Sequence, residues 1–72
     1  MQKWEYLYLE AHLQSAARPQ ATKENGQLIE DRPNLWEYLN KLGDEGWELI
    51  NVYNYSEPNR HKDYFVFKRP RE

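Results

Sequence analysis

The sequence predicts a small α+β domain of order β-α-β-β, a two-layer fold in which one helix packs on one face of a three-stranded antiparallel sheet. Three observations predict it. Residues 3–12, KWEYLYLEAH, alternate with a period near two and are rich in aromatic residues, which is the pattern of a strand. Leu35, Leu39 and Leu42 fall at i, i+4 and i+7 with Tyr38 beside them, giving one apolar helical stripe. Residues 47–55 and 63–69 are aromatic and β-branched runs separated by a polar turn holding Pro58 and Asn59, the pattern of an antiparallel hairpin.

The elements follow in order. In the first strand both alternating sets carry apolar side chains, which predicts burial on both faces for part of its length. Residues 13–31 are polar, contain Pro19 and carry Asn25-Gly26, a strong turn signal. This stretch reads as a flexible loop, or as a hairpin-like one in which Ala21–Thr22 pair with Leu28–Ile29. The helix spans 34–45. Asn34 and Glu37 have capping-box spacing, Pro33 stops the helix from extending upstream, and Gly46 suits the left-handed position that ends it. Gly43 in the last turn costs ~1 kcal/mol relative to Ala, and the expected reason is close approach of the helix end to the sheet. The strand at 47–55, the turn at 56–62 and the strand at 63–69 complete the chain, with Pro70 expected to end the last strand. The first strand must join the same sheet, because a lone strand leaves its backbone groups unsatisfied.

Size and composition bound the function. The chain has 72 residues and reads as a single domain over 1–72. It has no Cys, which excludes a disulfide framework, a thiolate metal site and a cysteine nucleophile. The net charge of -2 argues against a dedicated duplex nucleic-acid binder, whose affinity rests on phosphate neutralisation. No apolar run approaches the ~18 residues of a membrane span, and the N-terminus MQKWEYLYLE lacks a secretory apolar region, so a cytoplasmic chain with no membrane partner is expected.

No catalytic constellation emerges. His12 and His61 are the only imidazoles and lie far apart, so no metal is expected. Ser15, Ser56 and Thr22 sit in no elbow-like context. Gly43 and Gly46 lie at the C-terminal end of the helix, where the dipole repels phosphate. The expectation is a protein that is not an enzyme and carries no cofactor.

KWEYLYL at 3–9, LNKLGDEGWELINV at 39–52 and YFVFKRP at 64–70 together resemble a small bacterial domain-of-unknown-function family, number 4177. Trp4, Glu5 and Tyr6 match its opening strand. Leu39, Asn40, Leu42, Gly43, Gly46, Trp47, Glu48 and Leu49 match its helix-to-strand junction. Phe67, Lys68 and Arg69 match its closing strand. The stretch at 13–31 is longer than the family's usual connector. The resemblance implies a β-α-β-β fold and brings no activity, cofactor or catalytic residue. Packing accounts for the junction: Gly46 permits the reversal, Trp47 covers the helix end, and Glu48 points outward toward Lys68 or Arg69.

A helix covers one face of such a sheet, and the other carries large side chains, so self-association as a homodimer or higher oligomer is expected. A core this small, supplying ~3–5 kcal/mol, points the same way. The binding surface read from the sequence combines Tyr53, Tyr55 and Tyr64 with Arg60 and Lys62, residue types that concentrate binding energy. The expected function is a non-enzymatic binding or adaptor module for a protein or small ligand. The alternative is single-stranded nucleic-acid binding, since rings on a sheet face with basic rims suit that task.

Overall fold

A computed structural model describes residues 1–12, 19–58 and 60–71, without the side chains of Glu57, Arg60 and His61. The elements are β1 (Lys3–His12), β2 (Gln20–Glu24), β3 (Gln27–Leu28), α1 (Leu35–Asp44), β4 (Glu48–Glu57) and β5 (Arg60–Arg71). They form one antiparallel five-stranded sheet in the order β3-β2-β1-β5-β4.

The three-stranded sheet expected from the sequence is therefore corrected to five strands. The two additional strands come from the stretch expected to form a flexible or hairpin-like loop. Asn25 and Gly26 take positive φ values of 51° and 83°, the backbone of a tight hairpin turn. β2 pairs with β1 from Leu9↔Glu24 to His12↔Gln20, and β3 adds Lys23↔Leu28 and Glu24↔Gln27. The reason is backbone satisfaction. β1 is central, so its second edge needs partners as much as the edge taken by β5. Residues 13–18 of the expected loop lie outside the described residues.

β1 is buried mainly on one face, and on both only over Leu9, Glu10 and Ala11. Leu7, Leu9 and Ala11 point into the core, whereas Trp4, Tyr6 and Tyr8 are exposed on the other side. β5 runs beside it with Leu7↔Phe67, Leu9↔Phe65 and Ala11↔Asp63 in register, which adds Phe65 and Phe67 to the same face. α1 closes that face with Leu35, Tyr38 and Leu42. Leu9, Leu35 and Leu42 are fully enclosed, and each such side chain contributes about 1.5–3 kcal/mol.

Both helix ends follow from the sequence. The Asn34 side chain accepts the Glu37 N–H at 3.2 Å. At the other end the Trp47 N–H donates to Leu42 O and the Gly46 N–H to Gly43 O, both at 3.0 Å, with Gly46 at φ 92°. This is a Schellman ending, and Trp47 packs on the core beside it. Gly43 does not mark a close approach as expected: a Cβ there would meet nothing within 4 Å.

The hairpin turn is shorter than expected, because pairing continues to Ser56↔His61 and Glu57↔Arg60. Pro70 does not end the last strand. It lies opposite Trp4, and Arg71 lies opposite Lys3. β4 begins at Glu48 opposite Lys68, so this end of β5 has no β4 neighbour. Proline is tolerated on such an edge.

Candidate functional site

The face of the sheet away from α1 is the candidate site. The strand alternation of β1 places Trp4, Tyr6, Tyr8 and Glu10 there. Register across β5 adds Tyr64, Val66 and Lys68, and register across β4 adds Tyr53 and Tyr55. Trp4, Tyr6, Tyr8, Tyr53 and Tyr55 are all exposed. The face is apolar in its rings and polar at its hydroxyls, a combination that suits a surface alternately wet and docked.

Four of the five residues singled out from the sequence stand in two cross-strand pairs. Tyr53 and Tyr64 are opposite each other and their rings stack, with centroids 5.0 Å apart and planes 18° from parallel. Tyr55 is opposite Lys62. Arg60 stands in the ladder opposite Glu57, and its side chain lies outside what the structure describes.

Beneath these rings sits an acid that sequence reasoning missed. Glu10 is buried, although it is on the open face. Its carboxylate receives Lys62 Nζ at 3.0 Å and Lys23 Nζ at 3.9 Å, and the Tyr64 hydroxyl donates to it at 3.4 Å. Burial pushes the Tyr64 phenol up from its ordinary value, and the Glu10 charge adds to this. A β-bulge at Glu10/Ala11 lets Thr22 Oγ1 donate to the Glu10 carbonyl at 3.0 Å. The resulting depression is about 140 Å³, lined by Tyr8, Glu10, Lys23, Gly26, Lys62 and Tyr64. Glu10 belongs to the same alternating set as Trp4, Tyr6 and Tyr8, so the period-two pattern was the available signal once the phase of β1 was known.

The sheet carries a second cluster at the end of the helix. Lys68 Nζ lies 4.1 Å above the ring of Trp4. One residue on and facing the helix, Arg69 lies over Trp47, forms an ion pair with Glu5, and donates from Nη1 to the Glu45 carbonyl at 2.8 Å. The expected pairing of Glu48 with Lys68 or Arg69 is replaced. Glu48 and Lys68 are cross-strand neighbours, but Lys68 covers Trp4 and Arg69 turns to Glu5. A groove of about 530 Å³ runs along this end, between Glu45–Gly46 and Arg69–Arg71.

Among the described residues, no group of three or more His, Cys, Asp or Glu side chains could hold a metal ion. No described helix is long and apolar enough to cross a membrane. The depressions are shallow and rimmed by charge, whereas the exposed rings cover a broad open surface.

These features define a small antiparallel-sheet domain that carries a helix and the core on one face and rings on the other. A family model described as a domain of unknown function (DUF4177) matches residues 4–70, and the chain belongs to that family. No curated protein and no solved structure matches the chain.

Proposed function

We propose that the protein is a non-enzymatic, self-associating cytoplasmic module that docks a protein partner on the helix-free face of its sheet. The observation that carries this reading is the exposure of Trp4, Tyr6, Tyr8, Tyr53 and Tyr55 on the side of the sheet away from α1 and the core. Contiguous exposed apolar surface of this kind marks interaction sites. The open form of the face favours a macromolecule over a small ligand, since small ligands are held in enclosed apolar cavities. Tyr and Trp rings bring large contact area at low entropic cost.

A second reading has its own observation. Lys68 above Trp4, and Lys62 and Lys23 beside Tyr64 and Tyr8, set cations among the rings, as on single-strand nucleic-acid platforms. Glu10 weakens it by neutralising charge within that cluster.

The test uses the purified full chain as bait in an extract of its own host, comparing wild type with Tyr6→Ala/Tyr8→Ala. A partner retained by the wild type alone, and rebinding when both proteins are purified, supports the reading. Identical retention by both baits overturns it. Titration with a labelled single-stranded oligonucleotide decides the second reading: binding must fall steeply as salt rises.

A further inference from the structure

We infer that β4 is the seam of a two-fold homodimer, in which two copies pair antiparallel along this edge and join their sheets into one. The inference rests on the self-association in the proposed function and assigns it a location.

β4 is the terminal strand of the sheet. Every residue from Glu48 to Ser56 is exposed, on both faces of the strand. On the helix side the cause is coverage. Register carries Leu49 and Val52 opposite the buried Phe67 and Phe65, yet α1 lies over β1, β2 and β5 and stops short of them. Leu49 is 45% exposed and Val52 51%. The open side adds Tyr53 and Tyr55, each 48% exposed.

Beyond a bulge near its start, the edge lacks the usual protection. Natural edges are blunted by lysines, prolines or inward charges. Between Glu48 and Glu57 the strand reads LINVYNYS, with no charge and no proline. A bulge at Leu49–Asn51 bends its start, which leaves Asn51–Glu57 in regular register with β5. The other edge of the sheet, by contrast, ends in the two-residue β3.

The occupant that fits is a second copy of the chain. Two antiparallel copies centred on Tyr53 set only neutral residues against each other in the middle of the seam. Asn51 then faces the partner's Tyr55, and Val52 faces the partner's Asn54. The charged ends fall outside the centre, so no like charges meet there. Leu49, Ile50, Val52, Tyr53 and Tyr55 are all exposed along this strand, so pairing sets apolar side chains on both faces beside those of the second copy. A two-fold operator closes after two copies and leaves no free β4 edge. The Val52 N–H now donates to its neighbour's side chain, Asn51 Oδ1, at 2.9 Å. A carbonyl of the incoming strand replaces that local bond without loss. The pairing also makes the ring-bearing faces of the two copies continuous across Tyr64, Tyr53 and their partner-copy equivalents.

The experiment uses light scattering and oxidative crosslinking on the full chain. The protein has no cysteine, so one introduced thiol reports one contact. Cα atoms facing each other across an antiparallel pair lie within disulfide reach, about 4.5–5.5 Å. Tyr53→Cys should therefore crosslink into dimers on oxidation, and Tyr6→Cys on β1 should not. Val52→Lys should halve the apparent mass with an unchanged circular dichroism spectrum. A wild type that stays monomeric at every concentration overturns the self-association reading and the seam together. A wild-type dimer that survives Val52→Lys, or that crosslinks through Tyr6→Cys instead, overturns the seam alone. A Val52→Lys protein that loses its circular dichroism signal is replaced by Val52→Thr/Tyr55→Lys, read by the same criterion.

Discussion

The guanidinium of Arg69 lies 4.2 Å above the ring of Trp47. The same side chain pairs with Glu5 on β1 and donates to the Glu45 carbonyl at the end of α1. One residue of β5 thereby ties together the first strand, the helix C-terminus and the entry to β4. Its charge also sits at the negative end of the helix dipole.

Arg69→Ala should destabilise the fold by about 2 kcal/mol, combining a hydrogen bond near 1 kcal/mol with a cation–π contact of roughly 0.5–1. The ion pair adds little, because both side chains are 35% exposed and solvent screens them. Arg69→Lys should recover only part of the loss, since an ammonium cannot lie flat on Trp47 while reaching both oxygens. Urea unfolding followed by tryptophan fluorescence measures both. An Arg69→Lys midpoint equal to that of the wild type contradicts the three-way role.

The two glycines of the helix-to-strand junction should behave oppositely. Gly46 sits at φ 92°, so Gly46→Ala forces a side chain into the left-handed region and should cost about 1–2 kcal/mol. Gly43 is helical with open space around its missing Cβ. Gly43→Ala should stabilise by about 0.4–1 kcal/mol through the unfolded chain. Thermal unfolding of the two variants gives the signs directly.

The different outcomes at these glycines show what the sequence carried. The cap at Asn34, the stripe Leu35–Tyr38–Leu42 and the Gly46 reversal are local, so residue type and spacing sufficed to read them. Gly43 could not be read that way, because free space beside a helix depends on where the sheet lies. β2 was harder for the same reason. In QATKE only Ala21 is buried, and Glu24, on the same side, is charged, so the apolar period-two signal is faint. It is held instead by the unsatisfied edge of β1, a tertiary demand that appears only once β1 is known to be central. The candidate site divides similarly. Tyr53, Tyr55 and Tyr64 came from a hairpin close in sequence. Trp4, Tyr6, Tyr8 and Glu10 join them only through β1–β5 pairing across some sixty positions.

The Asn25-Gly26 turn offers a third prediction. The Asn25 side chain accepts the Tyr8 N–H at 3.0 Å, while the Asn25 backbone N–H donates to Tyr8 O at 2.9 Å. A Cβ on Gly26 would stand 3.0 Å from the Tyr8 hydroxyl and would be held at φ 83°. Gly26→Ala should cost about 1–2 kcal/mol and loosen β2 and β3 ahead of the rest. Amide hydrogen exchange should show faster exchange in β2 with little change in β5. Uniform acceleration would contradict a local role for the turn.

Glu10 provides a fourth. Glu10→Gln keeps the shape but removes the charge that faces Lys62, Lys23 and Tyr64. Both lysines are more than a third exposed and can turn to water, so the loss should be modest, about 1–2 kcal/mol. The Tyr64 phenol should then titrate at lower pH, because the Glu10 charge is part of what raises it. Ultraviolet titration of Glu10→Gln, with Tyr64→Phe in both backgrounds to isolate the signal, measures the change. An unmoved Tyr64 would mean that the carboxylate is not seated beneath it.

Tyr38 makes the stability of the fold depend on alkaline pH. Its ring is buried under α1, and its hydroxyl donates to Glu24 Oε1 on β2 at 2.8 Å. Burial first, and the Glu24 carboxylate second, push its phenol up to about 12. The folded state thus holds a proton that the unfolded chain releases near the ordinary value of 10.0. The stabilisation from this group is complete below pH 10 and is lost as pH rises from there toward 12. Tyr38→Phe should cost about 1 kcal/mol at neutral pH through the lost hydrogen bond. The variant should also show a shallower alkaline loss, because it has no proton to release at this position. Urea midpoints measured for both proteins at neutral pH and across the alkaline range should therefore converge as pH rises. Parallel curves at a constant separation would show that the Tyr38–Glu24 contact does not govern the alkaline transition.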